Sequence, residues 1–260
     1  MVSSEDILTL APPKADVRIP YGSDANQFID LRTPKQKGPH PVAICIHGGY
    51  WRARYDLEYL GHMGAALTAK GITTANLEYR RVGNTGGGWP ATFSDIRAAY
   101  QFVIQNAARY EIDVKRVIVL GHSAGGQLAL CLAARESGLR AAVSLAGVVD
   151  LQRAYELHLS NDAVVEFLGG TPKEVPDHYR EADPMKLTIT PQQWLVHGAK
   201  DDIVPPELSR EYVKAKAKTT PKTSEDAKLV MIEKAGHFEI VDPRARAWAD
   251  VEKIVLEAAG

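Results

Sequence analysis

Apolar residues in this chain fall into two kinds of run. Short continuous stretches occur at Val42–Ile46, Ile72–Leu77, Val117–Leu120, Ala141–Leu145, Trp194–Val196 and Lys228–Ile232. Runs of this length read as strands covered on both faces. Between them, apolar residues recur at helical spacing. Thr92–Tyr110 is the clearest case: Phe93, Ile96, Ala99, Tyr100, Val103 and Ala107 share one stripe, Thr92 or Ser94 can cap its start, and Pro90 lies just outside. Tyr55–Lys70, Ala124–Arg135, Pro206–Lys218 and Pro243–Ala258 complete the helical set. Ahead of these, Ala15–Ile19 and Gln27–Leu31 flank the turn cluster Pro20–Asp24 and read as edge strands, and Thr33–Pro41 is a Lys/Gly/Pro loop.

Strands alternating with helices predict an α/β fold, a mostly parallel sheet with helices on both faces. Ligands of such sheets bind at the carboxyl ends of the strands. Asp150–Ile189 breaks the rhythm, with no clean strand and three prolines. It is expected to be a small helical cap, an insertion covering the pocket within a single domain spanning 1–260.

Composition narrows the classes. The chain has 260 residues, 45% hydrophobic and 24% charged, with a formal net charge of −1. That balance fits a globular domain and lacks the basic excess that nucleic acid or an anionic membrane would require. No apolar run approaches the roughly 20 residues of a membrane span. The first residues, Met1–Asp6, are polar and acidic, unlike a secretory leader, so the expected location is cytoplasmic. Cys45 and Cys131 lie in apolar runs and read as buried free thiols.

The chemistry lies at the ends of the strand runs. Gly121-His122-Ser123-Ala124-Gly125 has the form G-x-S-x-G, after the Val117–Leu120 strand and before the Ala124–Arg135 helix. A serine on so sharp a strand-to-helix turn is forced out toward solvent, and small neighbours are needed because the turn is tight. Serine also needs a base, an acid that orients the base, and donors for the oxyanion. His237, in Ala235-Gly236-His237-Phe238 after the last strand, is the candidate base. The candidate acid lies in His197–Pro205, where Asp201 competes with Asp202, whose other reading is a turn or cap residue. Backbone donors are expected from Ala124 and from Gly49 and Tyr50 of the loop His47-Gly48-Gly49-Tyr50-Trp51.

These three segments together resemble the α/β-hydrolase superfamily over nearly the whole chain. The pairing of His-Gly-Gly-Tyr-Trp with Gly-His-Ser-Ala-Gly-Gly resembles the branch of bacterial carboxylesterases, kynurenine formamidases (arylformamidases) and small prolyl-oligopeptidase-like esterases. The resemblance implies a serine hydrolase with no metal and no cofactor. It implies Ser123 as nucleophile, Asp201 as acid, His237 as base, and the Gly49, Tyr50 and Ala124 amides as the oxyanion hole. The His197–Pro205 segment is similar to the family's H-G-x-x-D-x-x-V-P pattern, which aligns Asp201 with the acid. Tyr50 stands where lipases related to hormone-sensitive lipase carry a third glycine. The expected substrate is a small carboxylic ester, short-acyl or aryl; N-formylkynurenine is the alternative, and a non-catalytic ligand-binding protein of this fold is the remote one. The oligomeric state is left open, a homodimer included.

The remaining residues receive quieter roles. Trp51 and Trp89 are expected beside the substrate, with core packing the competing reading for Trp51. Gly86–Gly88 is read as a flexible loop, and Glu78–Arg81 as loop-tying ion pairs. His122 is expected to face away from the chemistry. His47 and His197 are expected to bond their own loops, and His158 and His178 to be exposed. Lys216, Lys218 and Lys222 read as a solvated helix end.

Overall fold

Alternate residues of a strand point to opposite sides of the sheet, so strands that are apolar throughout need cover on both sides. In β3 (His40–Ile46), Val42, Ile44 and Ile46 join one buried cluster, Ala43 and Cys45 the other. In β5 (Ile112–His122), Val117 and Val119 divide from Ile118 and Leu120 in the same way. A computed structural model describes residues 5–219 and 227–260. Among the described residues, β1 (Val17–Pro20), β2 (Phe28–Arg32), β4 (Thr73–Leu77), β6 (Ala141–Leu145), β7 (Gln192–Gly198) and β8 (Lys228–Ile232) join β3 and β5 in one sheet of order β1-β2-β4-β3-β5-β6-β7-β8. The β1–β2 and β2–β4 pairs are antiparallel and every other pair is parallel. Helices α2 (Ala91–Gln105), α3 (Ala124–Ala133) and α7 (Glu207–Thr219) cover one face, and α1 (Leu60–Ala69) and α8 (Trp248–Ala259) the other.

The expected bounds move at several elements: β5 starts at Ile112 rather than Val117, α2 ends at Gln105 rather than Tyr110, and two helices start late. Leu60, not Tyr55, opens α1, because the Glu58 amide donates to Asp56 Oδ1 and the Leu57 amide to Glu78 Oε2. Trp248 opens α8, since Asp242 draws the Arg244 amide into a turn. Neither Thr92 nor Ser94 caps α2: Pro90 holds that position, and the Thr92 hydroxyl donates to the Arg80 carbonyl instead. Lys216 is buried rather than solvated, its ammonium donating to the carbonyls of Leu187 and Met185. Lys222 lies outside the described residues. Gly86–Gly88 forms a tight turn in which a β-carbon on Gly87 would overlap the Arg81 backbone. Both cysteines are buried and free.

Residues 150–190 carry α4 (Leu151–Glu156), α5 (Ala163–Leu168), α6 (Pro176–Ala182) and a 3-10 turn at Pro184–Lys186. Helices this short do not stand alone and must be held by side chains. Gln127 of α3 donates to the Ala182 carbonyl at 2.8 Å, and Arg52 pairs with Glu166 at 2.8 Å. Asp183 Oδ1 accepts from the amides of Leu151 and Met185, while its Oδ2 is buried with no partner among the described residues. Burial, and then the nearby Asp150, push the Asp183 carboxyl up from 3.8 to about 6. The folded state therefore holds this proton more tightly than the unfolded chain, and stability is lost as pH rises from about 4 through about 6. Asp183→Asn, which copies the protonated form, should recover up to about 3 kcal/mol at pH 8 and little at pH 4. Urea unfolding of both proteins at the two pH values checks this; a variant equally or less stable at pH 8 overturns it.

Candidate active site

The carboxyl ends of the parallel strands bring together segments distant in sequence. Ser123 follows β5 directly and occupies φ 56°, ψ −124°. A non-glycine residue in that region costs about 1–3 kcal/mol and persists only where its surroundings fix it. They do: the Ser123 amide donates to Leu145 of β6 at 2.8 Å, and the Ser123 carbonyl accepts from Gly126 and Val148. The flanking glycines of G-x-S-x-G are steric requirements. A β-carbon on Gly121 would overlap the Gly125 carbonyl, and one on Gly125 would overlap the carbonyls of Ile46 and His47.

The loop after β8 places His237 against the loop after β7. His237 Nδ1 lies 2.7 Å from Asp201 Oδ2. A carboxylate only accepts, so Nδ1 carries the hydrogen and Nε2 keeps its lone pair. Asp201 Oδ1 accepts from the amides of Ile203 and Val204 at 2.9 and 2.8 Å. Its Oδ2 is shared with His197 Nε2 at 3.1 Å, and His197 Nδ1 accepts from the Ser209 hydroxyl at 2.7 Å. Burial alone would raise the Asp201 carboxyl; the hydrogen bonds from His197 and His237 outweigh it and hold the group well below the usual carboxylate range. Asp202 is exposed. Of the two competing aspartates, only Asp201 touches the histidine.

The loop after β3 faces the elbow. Gly49, Tyr50 and Trp51 have φ values of 102°, 50° and 56°, a run of left-handed residues that turns successive amides. Among the described residues, none accepts a hydrogen bond from the backbone N–H of Gly49, Tyr50 or Ala124. Tyr50 hooks over to the loop after β7, its hydroxyl donating to the Ile203 carbonyl at 2.8 Å. Beneath the loop, His47 Nε2 lies 3.0 Å from Glu78 Oε1, and Arg81 pairs with the same oxygen at 3.1 Å. Burial raises the Glu78 carboxyl, but His47 and Arg81 bring it below its ordinary value. These are the loop-tying pairs expected of Glu78–Arg81.

A cavity of about 240 Å³ is lined by Gly49, Tyr50, Tyr55, Tyr59, His122, Ser123, Ile203, His237 and Phe238, together with Glu5 and Leu8. Serine and histidine thus share one small chamber. The Ser123 hydroxyl makes no hydrogen bond to any described residue, His237 included; such contacts commonly tighten only with substrate present.

Three expectations fail at this chamber. Neither Trp51 nor Trp89 lines it. Trp51 is fully buried, donates to Gln127 Oε1 at 3.0 Å and stacks on Phe167 at 4.5 Å, so its left-handed backbone carries the ring into the core. Trp89 stacks on Phe93 and meets the edge of Phe167. No residue of 150–190 lines this cavity either; Glu5 and Leu8, at the two ends of an N-terminal 3-10 turn held by the buried Ile7, complete its lining. His122 does not face away: its ring centroid is 4.5 Å from that of His237, and it lines the cavity. Nothing in the local sequence marks Glu5, Leu8 or Tyr59, because each reaches the site through tertiary packing. The other histidines sit elsewhere: His158 is exposed and paired with Asp162, and His178 is half-buried against the Leu168 carbonyl.

The sheet, the elbow after β5 and the histidine after β8 define an α/β-hydrolase. The profile of the BD-FAE family matches residues 29–215, well over half of the chain, and the chain belongs to that family. It is 26% identical over 235 residues to Esterase LipC of Mycobacterium tuberculosis, a match covering 75% of this chain and 53% of the relative. It is 24% identical to the probable isoprenylcysteine alpha-carbonyl methylesterase ICMEL1 of Arabidopsis thaliana, covering 85% of this chain and 50% of the relative. The chain thus spans about half the length of these curated relatives. Among solved structures, a truncated carbohydrate esterase from gut microbiota superposes with a TM-score of 0.80 at 21% identity, covering 96% of this chain and 99% of that one. Esterase B of Lactobacillus rhamnosus superposes with a TM-score of 0.79 at 15% identity, covering 98% of this chain and 89% of that one.

Proposed function

We propose that this chain is a serine hydrolase of small carboxylic esters, with Ser123 as nucleophile, His237 as base and Asp201 as the acid that orients it. The observation that carries the reading is the 2.7 Å contact between His237 Nδ1 and Asp201 Oδ2 at the wall of a chamber that also holds the strained Ser123. The relatives' names, esterases and methylesterases, support the class of bond.

The substrate carbonyl carbon is attacked by Ser123 Oγ as His237 Nε2 takes the serine proton. The carbonyl oxygen becomes an oxyanion and is held by the Gly49, Tyr50 and Ala124 amides, each such donor supplying about 2.7–4 kcal/mol to the transition state. The low-lying Asp201 carboxylate stabilises the imidazolium without accepting its proton. Collapse breaks the bond to the alcohol oxygen, which leaves with the proton from His237, and an acyl-Ser123 ester remains. Water then attacks that ester, giving a proton to His237; collapse releases the carboxylic acid and returns the proton to Ser123. Segment 150–190 acts here as a buttress that fixes the oxyanion loop through Arg52, all within one hydrolase domain.

A chamber of about 240 Å³ lined by aromatic rings suits a small ester. We expect kcat/KM to stay level or fall from p-nitrophenyl acetate to the octanoate, since a methylene that finds no pocket gains none of the about 0.8 kcal/mol that burial would give it. A rise along acetate, butyrate and octanoate would overturn the small-pocket reading. A second reading, hydrolysis of N-formylkynurenine, draws on the His47–Trp51 loop and on the ring-lined wall of Tyr50, Tyr55, Tyr59 and Phe238. Deformylation faster than the best ester, in the same assay series, would favour it. Absence of burst release from activated esters would favour a ligand-binding protein instead.

A further inference from the structure

Three segments must hold fixed relative positions for the proposed chemistry: the oxyanion loop, the elbow and the loop carrying His237. One buried chain of hydrogen bonds runs through all three. The Gly48 amide donates to Tyr59 Oη at 2.8 Å. Tyr59 Oη lies 2.8 Å from His122 Nδ1, and His122 Nε2 lies 3.0 Å from the His237 carbonyl. The direction of every bond is fixed by its ends. A carbonyl only accepts, so His122 Nε2 carries the hydrogen and Nδ1 bears a lone pair. Tyr59 therefore donates to Nδ1 and uses its own lone pair for the Gly48 amide. Both side chains are buried, Tyr59 at 7% exposure and His122 at 1%. Burial, and then the neighbouring His237, hold the His122 imidazole well below its ordinary value, so it stays neutral and keeps that tautomer.

We propose that Tyr59 and His122 are positioning residues, a relay that sets the oxyanion loop and the base loop at a fixed distance across the nucleophile elbow. The inference rests on the serine-hydrolase reading above. Neither side chain exchanges a proton with substrate; each acts through the backbone it holds. Gly48 sits tightly on the elbow, where a β-carbon would come within 2.7 Å of Ser123 Cβ, so a small drift of this loop moves the Gly49 and Tyr50 amides relative to Ser123. Small displacements of reacting groups are costly, about 100-fold per ångström in unfavourable cases. The residue between Gly121 and Ser123 thus has a task of its own, and Tyr59 is its partner from the start of α1.

The test is a double-mutant cycle of Tyr59→Phe and His122→Gln, read in kcat and KM on p-nitrophenyl acetate. Each single variant is expected to lower kcat about 10- to 100-fold with a much smaller change in KM, because the lost bonds align the loops for the transition state more than they hold the substrate. The double variant is expected to be no worse than the weaker single one, since breaking one link already uncouples the loops. Multiplying losses, or a Tyr59→Phe enzyme as fast as wild type, would overturn the relay. A measurement on the unaltered protein guards against variants that fail to fold. Imidazole 15N spectra should show His122 as a non-titrating Nε2–H tautomer between pH 5 and 9, and an Nδ1–H tautomer would overturn it. Wild-type protein without Ser123-dependent turnover would sink the hydrolase reading, while the tautomer still decides the relay.

Discussion

Ser123→Ala should lower kcat on p-nitrophenyl acetate by about 10⁴- to 10⁶-fold while leaving the fold and Tm intact. The loss is large because no other group lining the cavity is placed to form the acyl intermediate. The cavity holds tyrosines, phenylalanine and histidines, but no second serine and no cysteine, and Cys45 and Cys131 are buried away from it, with thiols pushed up to about 12. Stability should hold for two reasons. The Ser123 hydroxyl makes no hydrogen bond to the described residues, so its removal strands no partner. Alanine also meets the same backbone requirement at φ 56° as serine does, a β-carbon in the left-handed region. Steady-state assays with thermal unfolding of both proteins decide it. A folded Ser123→Ala protein keeping more than about 1% of wild-type kcat would remove Ser123 from the nucleophile's role.

What could be read in the sequence, and what could not, divides along a physical line. Strands β6 and β8 match their apolar runs residue for residue, because continuous apolar stretches have few other fates. The placement of Ser123, Asp201 and His237 beyond strand ends was legible because each belongs to a local pattern that follows an apolar run. Helix starts were not, because Glu78, far along the chain, takes the Leu57 amide that the sequence pattern gives to α1. The wall of the chamber was equally hidden. Glu5 and Leu8 reach it only through the burial of Ile7, and Trp51, next to Tyr50 in the loop after β3, is drawn inward by Gln127 and Phe167. His122 shows the same limit most sharply. Its neighbours in sequence say that it flanks a nucleophile, but only the approach of Tyr59 and the His237 carbonyl gives it work.

Asp201→Asn should lower kcat about 10⁴-fold, and Asp202→Asn should leave it within about threefold of wild type. The difference follows from the donors around each carboxylate. Asp201 Oδ1 faces two amides, Ile203 and Val204, which can only donate, while Oδ2 faces the imidazoles of His197 and His237. Asparagine has one acceptor and one donor end. Its oxygen must stay with the two amides, because they have no alternative form, and its NH₂ is left facing the histidines. His237 can satisfy that NH₂ only by presenting a lone pair at Nδ1, which moves its hydrogen to Nε2 and removes the base from Ser123. The variant should also lose stability at neutral pH. A carboxyl held low in the folded state adds stability above its unfolded pKa, and that contribution is lost on acidification; asparagine lacks it throughout. The stability gap between wild type and Asp201→Asn should therefore narrow as pH falls through about 4. Asp202 is exposed, and its substitution should alter neither quantity measurably. Equal losses at the two positions, or an Asp201→Asn enzyme retaining a tenth of wild-type kcat, would show that the histidine takes its orientation from somewhere other than the carboxylate 2.7 Å away.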